Sequence, residues 1–297
     1  MEIKIILQKF CEYSNYIKGY TPDTIRRYKT SVERLYRVAK ITQMEEINEK
    51  NVRNFFFFGR VECHWLPNSF INYHKSLKIF FRWCIKEGYM KSDPLLDIEM
   101  PRLEKRLPTR LTKQEAQKLL EVVYNFPYDY KFLRFRNHAI FAILLFAGLR
   151  KKELLNLKFA DVDMENMSVY VRQGKGRKDR IIPICPRLAE ILKVYVEERH
   201  RLKKTCPGFF VSLNHNEGLS ENGLRHMLRK VLKVTGLKFS LHKLRHTFAT
   251  FMIEGGCDIF SLSKMMGHSD IKTTSIYLAA SVEHLRGQIM KHPLNDV

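Results

Sequence analysis

Apolar residues recur every three or four positions through most of the first 90 residues, which is the spacing of one face of an α-helix. The second helix has a clear start, because Thr21 can cap it, Pro22 suits its first position and Asp23 favours the positive end of the helix dipole. In the third predicted helix, the run Phe55–Phe58 fits either a core face or an exposed contact for a partner, and we favour the core. The four predicted helices cover Glu2–Ile17, a segment opening at Thr21, roughly Asn48–Phe58, and Pro67 to Gly88.

A proline-rich stretch follows this predicted helical bundle. Ser92–Thr112 contains three prolines within 15 residues. Proline removes a backbone donor and disfavours helix in the residue before it, so we predict an extended linker. The boundaries that follow are a helical domain at 1–100, a linker at 101–110 and a second domain at 111–297. The positive residues of this stretch suit either a strap along phosphates or a solvated linker, and they are Arg102, Lys105, Arg106 and Arg110.

Helical spacing returns after the linker, except in one segment where the period changes to two. Met167–Arg172 and Arg180–Ile184 alternate as strands do, and the GKGRKD run between them indicates a β-hairpin with a basic tip. The chain is therefore predicted to be mainly α with a small β-hairpin or sheet (α+β). The predicted helices of this part run from a Thr112 cap to Tyr124, over Asn137–Ala147 with a stop at Gly148, from about Lys152, and over Pro186–Leu202, Ser220–Val234, Ser240–Glu254, Asp258–Met266 and Ile271–Leu285.

The charge of the chain limits the classes of partner. The 297 residues include 52 Lys and Arg against 31 Asp and Glu, a formal net charge of +21, and residues 101–297 carry +16 of it. Such a surplus indicates a polyanion, either nucleic acid or an anionic membrane surface. The longest apolar stretch, Ala139–Leu149, has eleven residues, whereas a membrane span needs about 20. Nucleic acid is therefore the favoured partner.

Signals for export and for metal binding are weak. The N-terminal segment mixes charged with apolar residues and has no signal-peptide core. The six cysteines show no paired spacing, which favours reduced thiols in a cytosol. Cys63-His64 is the nearest approach to a metal-ligand pair and lacks partners. We therefore expect a cytoplasmic, nucleoid-associated protein that neither binds a metal nor enters a membrane.

The sequence lacks several motifs that are common in enzymes acting on phosphate or ester groups. It contains no GxxxxGK[ST] nucleotide loop, no clustered carboxylates for paired magnesium ions and no GxSxG turn for a nucleophilic serine. Cleavage or transfer of phosphate is therefore expected to need no metal, no ATP and no other cofactor.

Five short segments nevertheless carry residues suited to phosphoryl transfer. Two guanidiniums, those of Arg150 and Arg245, can clamp the nonbridging oxygens of a phosphodiester and stay charged at any working pH. Lys175, at the hairpin tip, can reach a leaving oxygen as a general acid. The phenol of Tyr277 can attack phosphorus if positive charge and a proton acceptor lie beside it. The predicted site is completed by two histidines, His242 and His268.

Each of these residues alone has an ordinary alternative. A single arginine or a hairpin lysine is commonly a solvated surface residue, a histidine at a helix end commonly caps that helix, and a tyrosine commonly packs in a core. The functional interpretation depends on all the segments occurring together and in this order.

Together the segments resemble the tyrosine recombinase (phage integrase) family. The resemblance covers about residues 105–290, and the N-terminal bundle is similar to the family's SAM-like core-binding domain. Its most specific part is HxLRHTFAT followed by GH and, nine residues after that histidine, a tyrosine. The motifs that carry it are GLRKKEL at Arg150, GKGRKDR at Lys175, HKLRHTFAT at His242 and Arg245, MMGHSD at His268 and TTSIY at Tyr277.

The resemblance implies a site-specific DNA recombinase. The tyrosine would attack the scissile phosphate to form a 3′-phosphotyrosine and free a 5′-hydroxyl, and a 5′-hydroxyl from another strand would then rejoin the ends. The bond energy stays in the covalent link, so the family needs no nucleotide cofactor. The implied roles are transition-state stabilisation by Arg150, Arg245 and His268, base toward Tyr277 by His242, and general acid by Lys175.

The resemblance also implies partners. The family acts on double-stranded DNA with paired inverted-repeat sites, as a homotetramer that passes through a Holliday junction, and its two domains form a C-shaped clamp. The tail after Tyr277 keeps helical spacing, which suits either exchange of the C-terminal helix with a neighbouring protomer or a helix folded on its own domain. The alternatives to recombination are type IB topoisomerase-like DNA relaxation and a noncatalytic DNA-binding regulator.

Overall fold

The computed structural model describes residues 1–103, 108–172, 179–268 and 270–280. The chain divides into two compact units, Met1–Lys105 and Arg106–Val297, and the division falls inside the stretch predicted as a linker. Over the described residues the chain is mainly helical and has one small sheet, as the predicted fold class requires. Across those same ranges, no helix combines the length and the apolar character that a membrane crossing requires.

The described part of the first unit, residues 1–103, contains four α-helices, close to the bounds that periodicity predicts. Helix α2 starts as expected, since the Thr21 hydroxyl accepts a hydrogen bond from the backbone N–H of Thr24 at 3.4 Å. Helix α3 is capped by the Asn48 side chain, which accepts from the backbone of Asn51 at 2.9 Å. The helices are α1 (Ile3–Tyr16), α2 (Pro22–Ala39), α3 (Glu49–Val61) and α4 (Pro67–Lys86).

The prediction that the whole run Phe55–Phe58 lies in the core is wrong for half of it. Phe55 and Phe56 are buried, whereas Phe57 is 68% and Phe58 37% exposed. Successive residues of an α-helix point about 100° apart, so four consecutive side chains are spread around the helix and cannot all face one core. The buried pair packs against Trp65, whose ring centroid lies 5.2 Å from that of Phe55.

The second unit contains eight described helices around α6, most of whose residues are buried. Helix α6 begins at Lys131, six residues before the predicted start at Asn137, because its first turns are charged and hide the apolar pattern. The helices are α5 (Lys113–Asn125), α6 (Lys131–Phe146), α7 (Lys151–Asn156), α8 (Pro186–Arg201), α9 (Glu221–Thr235), α10 (Leu241–Glu254), α11 (Ile259–Met266) and α12 (Lys272–Ala280).

A small antiparallel sheet interrupts these helices. Its strands are β1 (Val162–Asp163), β2 (Ser168–Val171) and β3 (Arg180–Pro183), in the order β1-β2-β3. Strands β2 and β3 form the predicted hairpin, with Val169 opposite Ile182 and both side chains buried. Strand β1 was not predicted, because two residues are too few to show an alternation. The hairpin tip at 173–178 lies outside the described residues.

A glycine turn directs the chain from α6 into α7. Gly148 has φ of +60°, and a Cβ placed on it would lie 2.3 Å from the ring of Phe248 on α10. Glycine is needed here both for the left-handed backbone and for the close approach. The turn therefore brings the start of α7, where Arg150 stands, against α10, where Arg245 stands.

The described end of the linker is attached to α10. The backbone N–H of Leu111 donates to the Thr247 hydroxyl at 2.9 Å, and Arg110 pairs with Glu254 at 2.7 Å. The charge of Arg110 is thus matched by a carboxylate of its own unit. Lys105 and Arg106, which the strap interpretation also needs, lie outside the described residues, so the two interpretations of the linker stay open.

Candidate active site

Helix α10 forms the centre of the candidate site, and it packs against α6, α11 and α12. Ser240 fixes where α10 begins, because its hydroxyl accepts a hydrogen bond from the backbone of Lys243 at 3.2 Å. Five of the predicted site residues come from four parts of the chain: Arg150 lies just before α7, His242 and Arg245 on the first turns of α10, His268 just after α11, and Tyr277 on α12.

Arg245 is the most enclosed charge of the site, with a residue exposure of 2%. Its Nη1 donates to the carbonyl oxygen of Gly148 at 2.5 Å, and its Nη2 donates to the carbonyl of Met266. Burial and the charge of Arg150 lower the pKa of Arg245 to about 9. The guanidinium therefore stays protonated at neutral pH, with its donors fixed by backbone carbonyls rather than by mobile side chains.

One buried carboxylate, that of Glu153, joins the arginines of the site. It accepts from Arg150 Nη1 at 2.7 Å and from both terminal nitrogens of Arg180 at 2.9 and 2.8 Å, and it lies 3.9 Å from Arg245 Nη1. Burial alone would raise its pKa, but the hydrogen bonds from Arg180 and Arg150 lower the pKa of Glu153 to about 2. Three guanidiniums share this carboxylate, so the cluster keeps a positive charge that suits an anionic phosphate.

His268 lies where the two predicted arginines meet the end of α11. Its Nε2 is 3.3 Å from Arg245 Nη2, and its Nδ1 is 2.8 Å from the hydroxyl of Thr274, which is fully buried. Arg150 Nη2 donates to the carbonyl of Gly267, the preceding residue, at 3.0 Å. Arg150, Arg245 and His268 are thus brought together from positions far apart in the sequence.

Tyr277 is buried beside this cluster, with 2% exposure, and its hydroxyl lies 2.7 Å from Nδ1 of His246. Burial raises the pKa of Tyr277, and the charges of Arg245 and Arg150 act in the opposite direction. His242 is one helical turn earlier, with its ring centroid 4.4 Å from that of His246 in an edge-to-face arrangement. The phenol is therefore bonded to a histidine of α10, but to His246 and not to the predicted His242.

Comparison with known proteins decides the family. Residues 109–284 match the phage integrase family, and residues 6–90 match the phage integrase N-terminal SAM-like domain. The chain is 35% identical to tyrosine recombinase XerA of Thermococcus onnurineus over 93% of this chain and 92% of that protein. It is 33% identical to tyrosine recombinase XerC of Bacillus licheniformis over 98% and 96%. The chain belongs to the phage integrase family. It is a tyrosine recombinase, a site-specific DNA recombination enzyme, and these relatives do not favour the topoisomerase or regulator alternatives.

The fold of this tyrosine recombinase also matches solved structures. The crystal structure of XerH bound to a palindromic difH substrate, in a post-cleavage complex, superposes with a TM-score of 0.73. The two chains are 21% identical, and the match covers 96% of this chain and 83% of that one. The mainly helical fold with its SAM-like N-terminal unit is therefore the tyrosine recombinase fold.

One predicted site residue of the recombinase has no described position. Lys175 falls within 173–178, outside the described residues, so its place near a leaving oxygen stays a prediction. The hairpin that carries it is connected to the cluster through Arg180 at the start of β3, whose Nε donates to the carbonyl of Met265 at 2.7 Å. The end of β3 that follows the hairpin tip is thus attached beside the arginines.

Sequence reasoning did not single out four residues that the structure brings into the cluster, which are Glu153, Arg180, His246 and Thr274. Glu153 stands three residues after Arg150, which is the spacing of a capping-box acid, and its carboxylate accepts a hydrogen bond from the backbone N–H of Arg150 at 2.8 Å. His246 stands one helical turn after His242. These spacings were available as signals, whereas Thr274 lies inside the TTSIY motif with no spacing that identifies His268 as its partner.

Replacing Glu153 by glutamine should remove a pH-dependent part of the stability of the second unit. The folded-state pKa of about 2 lies below the ordinary 4.5, so this stabilisation is complete above about pH 4.5 and is lost as the pH falls toward 2. The difference corresponds to about 3 kcal/mol at neutral pH. Urea unfolding followed by circular dichroism between pH 7 and pH 3 should give a flatter stability profile for Glu153→Gln than for the wild type.

The two tryptophans supply an internal control for this experiment. Both Trp65 and Trp83 belong to the first unit, so tryptophan fluorescence should report the same acid response in both proteins. Glu190→Gln, which removes one partner of an exposed ion pair with Arg187, should leave the dichroism profile unchanged. Parallel profiles for Glu153→Gln and the wild type would contradict the expected stabilisation by the bonds between Glu153 and the two arginines, Arg150 and Arg180.

Proposed function

We propose that this recombinase cuts and rejoins DNA strands with Tyr277 as the nucleophile and the cluster around Gly267 as the phosphate site. The observation that carries the proposal is the convergence of Arg150, Arg245 and His268 at the end of α11, with Tyr277 on the following helix. Cationic donors that are already oriented stabilise the charge that a phosphodiester develops on its nonbridging oxygens.

The proposed step balances as a transesterification. The oxygen of Tyr277 forms a bond to phosphorus, and the bond from phosphorus to the 5′-oxygen breaks, which leaves a 3′-phosphotyrosine and a 5′-hydroxyl. We assign the proton of the phenol to His242 and the proton that the leaving oxygen receives to Lys175. A 5′-hydroxyl of another strand then attacks the phosphotyrosine and releases Tyr277, so no energy source outside the covalent link is required.

The assembly we propose is a homotetramer on two double-stranded sites, each with inverted-repeat half-sites, acting on nucleoid DNA in the cytoplasm. The net charge of +21 supports binding of many phosphates and a steep dependence of affinity on salt. Two rounds of strand exchange pass through a Holliday junction, and the C-terminal helix packs into a neighbouring protomer. The tail proposed to do this runs over 278–297, and its residues 281–297 lie outside the described ones.

The wild-type protein should form a covalent adduct with DNA and should exchange strands between two sites. A binding site is first selected from a pool of random-sequence duplexes, and a version nicked beside the cleavage position is then made, from which the freed 5′ fragment escapes. Denaturing gels should show protein attached to the 3′ end of the cleaved strand, and a plasmid with two sites should recombine.

Other results of the same assays would contradict the proposal. Binding without any adduct would favour a noncatalytic regulator. Relaxation of supercoiled plasmid without exchange between two sites would favour topoisomerase-like chemistry. An adduct on the 5′ end would contradict the assigned direction of attack.

A further inference from the structure

His246 has a contact that none of the roles assigned above uses. Its Nδ1 lies 2.7 Å from the hydroxyl oxygen of Tyr277, a short distance for a hydrogen bond between a phenol and an imidazole. We propose that His246 is a positioning residue for strand cleavage: before the attack its Nδ1 accepts a hydrogen bond from the Tyr277 hydroxyl and so leaves the oxygen lone pairs directed at the scissile phosphate, and the proton itself passes to His242 as the bond to phosphorus forms. This inference rests on the proposed function of Tyr277.

The packing of Tyr277 explains why one polar contact can set the position of its oxygen. The ring is held in an apolar cluster formed with residues of α10 and α11, which include Phe248, Ile253, Leu262 and Met266. Such packing fixes the plane and depth of the ring, but it does not fix the direction of the O–H bond. The hydrogen bond to His246 fixes that direction.

The protonation states favour donation by the phenol. Burial, together with the charges of His242 and Arg245, lowers the pKa of His246 to about 4, so its imidazole is neutral at pH 7. Burial raises the pKa of Tyr277, so the phenol keeps its hydrogen in the DNA-free protein. A neutral imidazole with its hydrogen on Nε2 accepts at Nδ1, and the phenol oxygen then keeps both lone pairs for the phosphate.

The position of His246 on α10 connects the nucleophile to the phosphate clamp. It directly follows Arg245, so one turn of one helix carries both the guanidinium that faces the phosphate and the nitrogen that orients the phenol. The ring of His246 is itself supported by that of His242, at 4.4 Å between centroids. A rigid helix therefore fixes the distance between attacking oxygen and clamped phosphate, which is the quantity on which an in-line attack depends.

Three substitutions at position 246 test the contact atom by atom. The Oδ1 atom of asparagine stands the same number of bonds from Cα as Nδ1 of histidine, whereas the Oε1 atom of glutamine corresponds to Nε2. His246→Ala should slow single-turnover adduct formation on the nicked duplex by about a hundred-fold, with an unchanged dissociation constant for that duplex. His246→Asn should recover most of the lost rate, and His246→Gln should not.

A histidine away from the cluster, His226, supplies the control for these variants. His226→Ala removes an exposed histidine of α9 and should leave the adduct rate unchanged. A wild-type rate in His246→Ala would overturn the inference, and a faster rate would show that the contact holds the phenol back instead. If His246→Ala is poorly folded, the comparison of asparagine with glutamine decides, and equal rates overturn the inference. A wild-type protein that forms no adduct would contradict the proposed function itself, which is a separate result.

Discussion

Replacing Tyr277 by phenylalanine should abolish the covalent protein–DNA adduct while DNA binding and the fold persist. The substitution removes only the nucleophilic oxygen, and loss of a nucleophile lowers such rates by at least about a thousand-fold. The ring still fills its place in the apolar cluster of α10 and α11. One hydrogen bond to His246 is lost, at a cost of about 1 kcal/mol. Adduct formation on the nicked duplex and thermal unfolding measure the two effects.

The control for this variant is Tyr195→Phe, in the same unit. Tyr195 is also buried, and its hydroxyl donates to the carbonyl of Phe209 at 2.8 Å and accepts from the backbone of Val211 at 3.2 Å. The control should lose at least as much stability and keep the adduct. An adduct formed by Tyr277→Phe would show that another residue attacks the phosphate, and it would remove the basis of the proposed mechanism.

Replacing Arg245 by lysine should keep a positive charge in the site and still slow cleavage by about a hundred-fold or more. The guanidinium donates to the carbonyls of Gly148 and Met266 and lies beside His268, a planar arrangement that a single ammonium cannot reproduce. The two buried carbonyls would lose their donors, which should cost about 2 kcal/mol of stability. Single-turnover adduct formation, at a temperature where both proteins are folded, measures the chemical effect.

Arg136→Lys separates the chemical effect from the structural one. Arg136 is also buried in the second unit, where Nη1 donates to the carbonyl of Val211 at 3.0 Å and the remaining donors bind Asn137. This variant should be destabilised but should cleave at close to the wild-type rate once folded. Equal loss of cleavage in Arg136→Lys and Arg245→Lys would indicate that both act through folding, and would contradict a direct role of Arg245 at the phosphate.

The residues of the candidate site that the sequence predicted belong to short, recognisable motifs. Arg150, Arg245, His268 and Tyr277 were named from local segments, and the structure places the first three in contact around the end of α11. Glu153 illustrates what such motifs leave undetermined. It lies inside the GLRKKEL motif, at a spacing from Arg150 that fits a helix cap, but its bond to Arg180 depends on how the hairpin packs against α7 and α11.

The amino-acid sequence by itself determined most of the helix starts, the hairpin strands and the order of the residues proposed to bind phosphate. These features depend on interactions within one or two helical turns: the Thr21 hydroxyl caps its own helix, and Gly148 takes a backbone conformation that few other residues adopt. The tertiary structure decided the pairings between distant segments. It buried Glu153 among three arginines, and it placed His246 rather than His242 at the phenol of Tyr277. The pairing of His246 with Tyr277 follows from the packing of α10 against α12, because side chains one turn apart on a helix have the same local pattern and only the neighbouring helix distinguishes them.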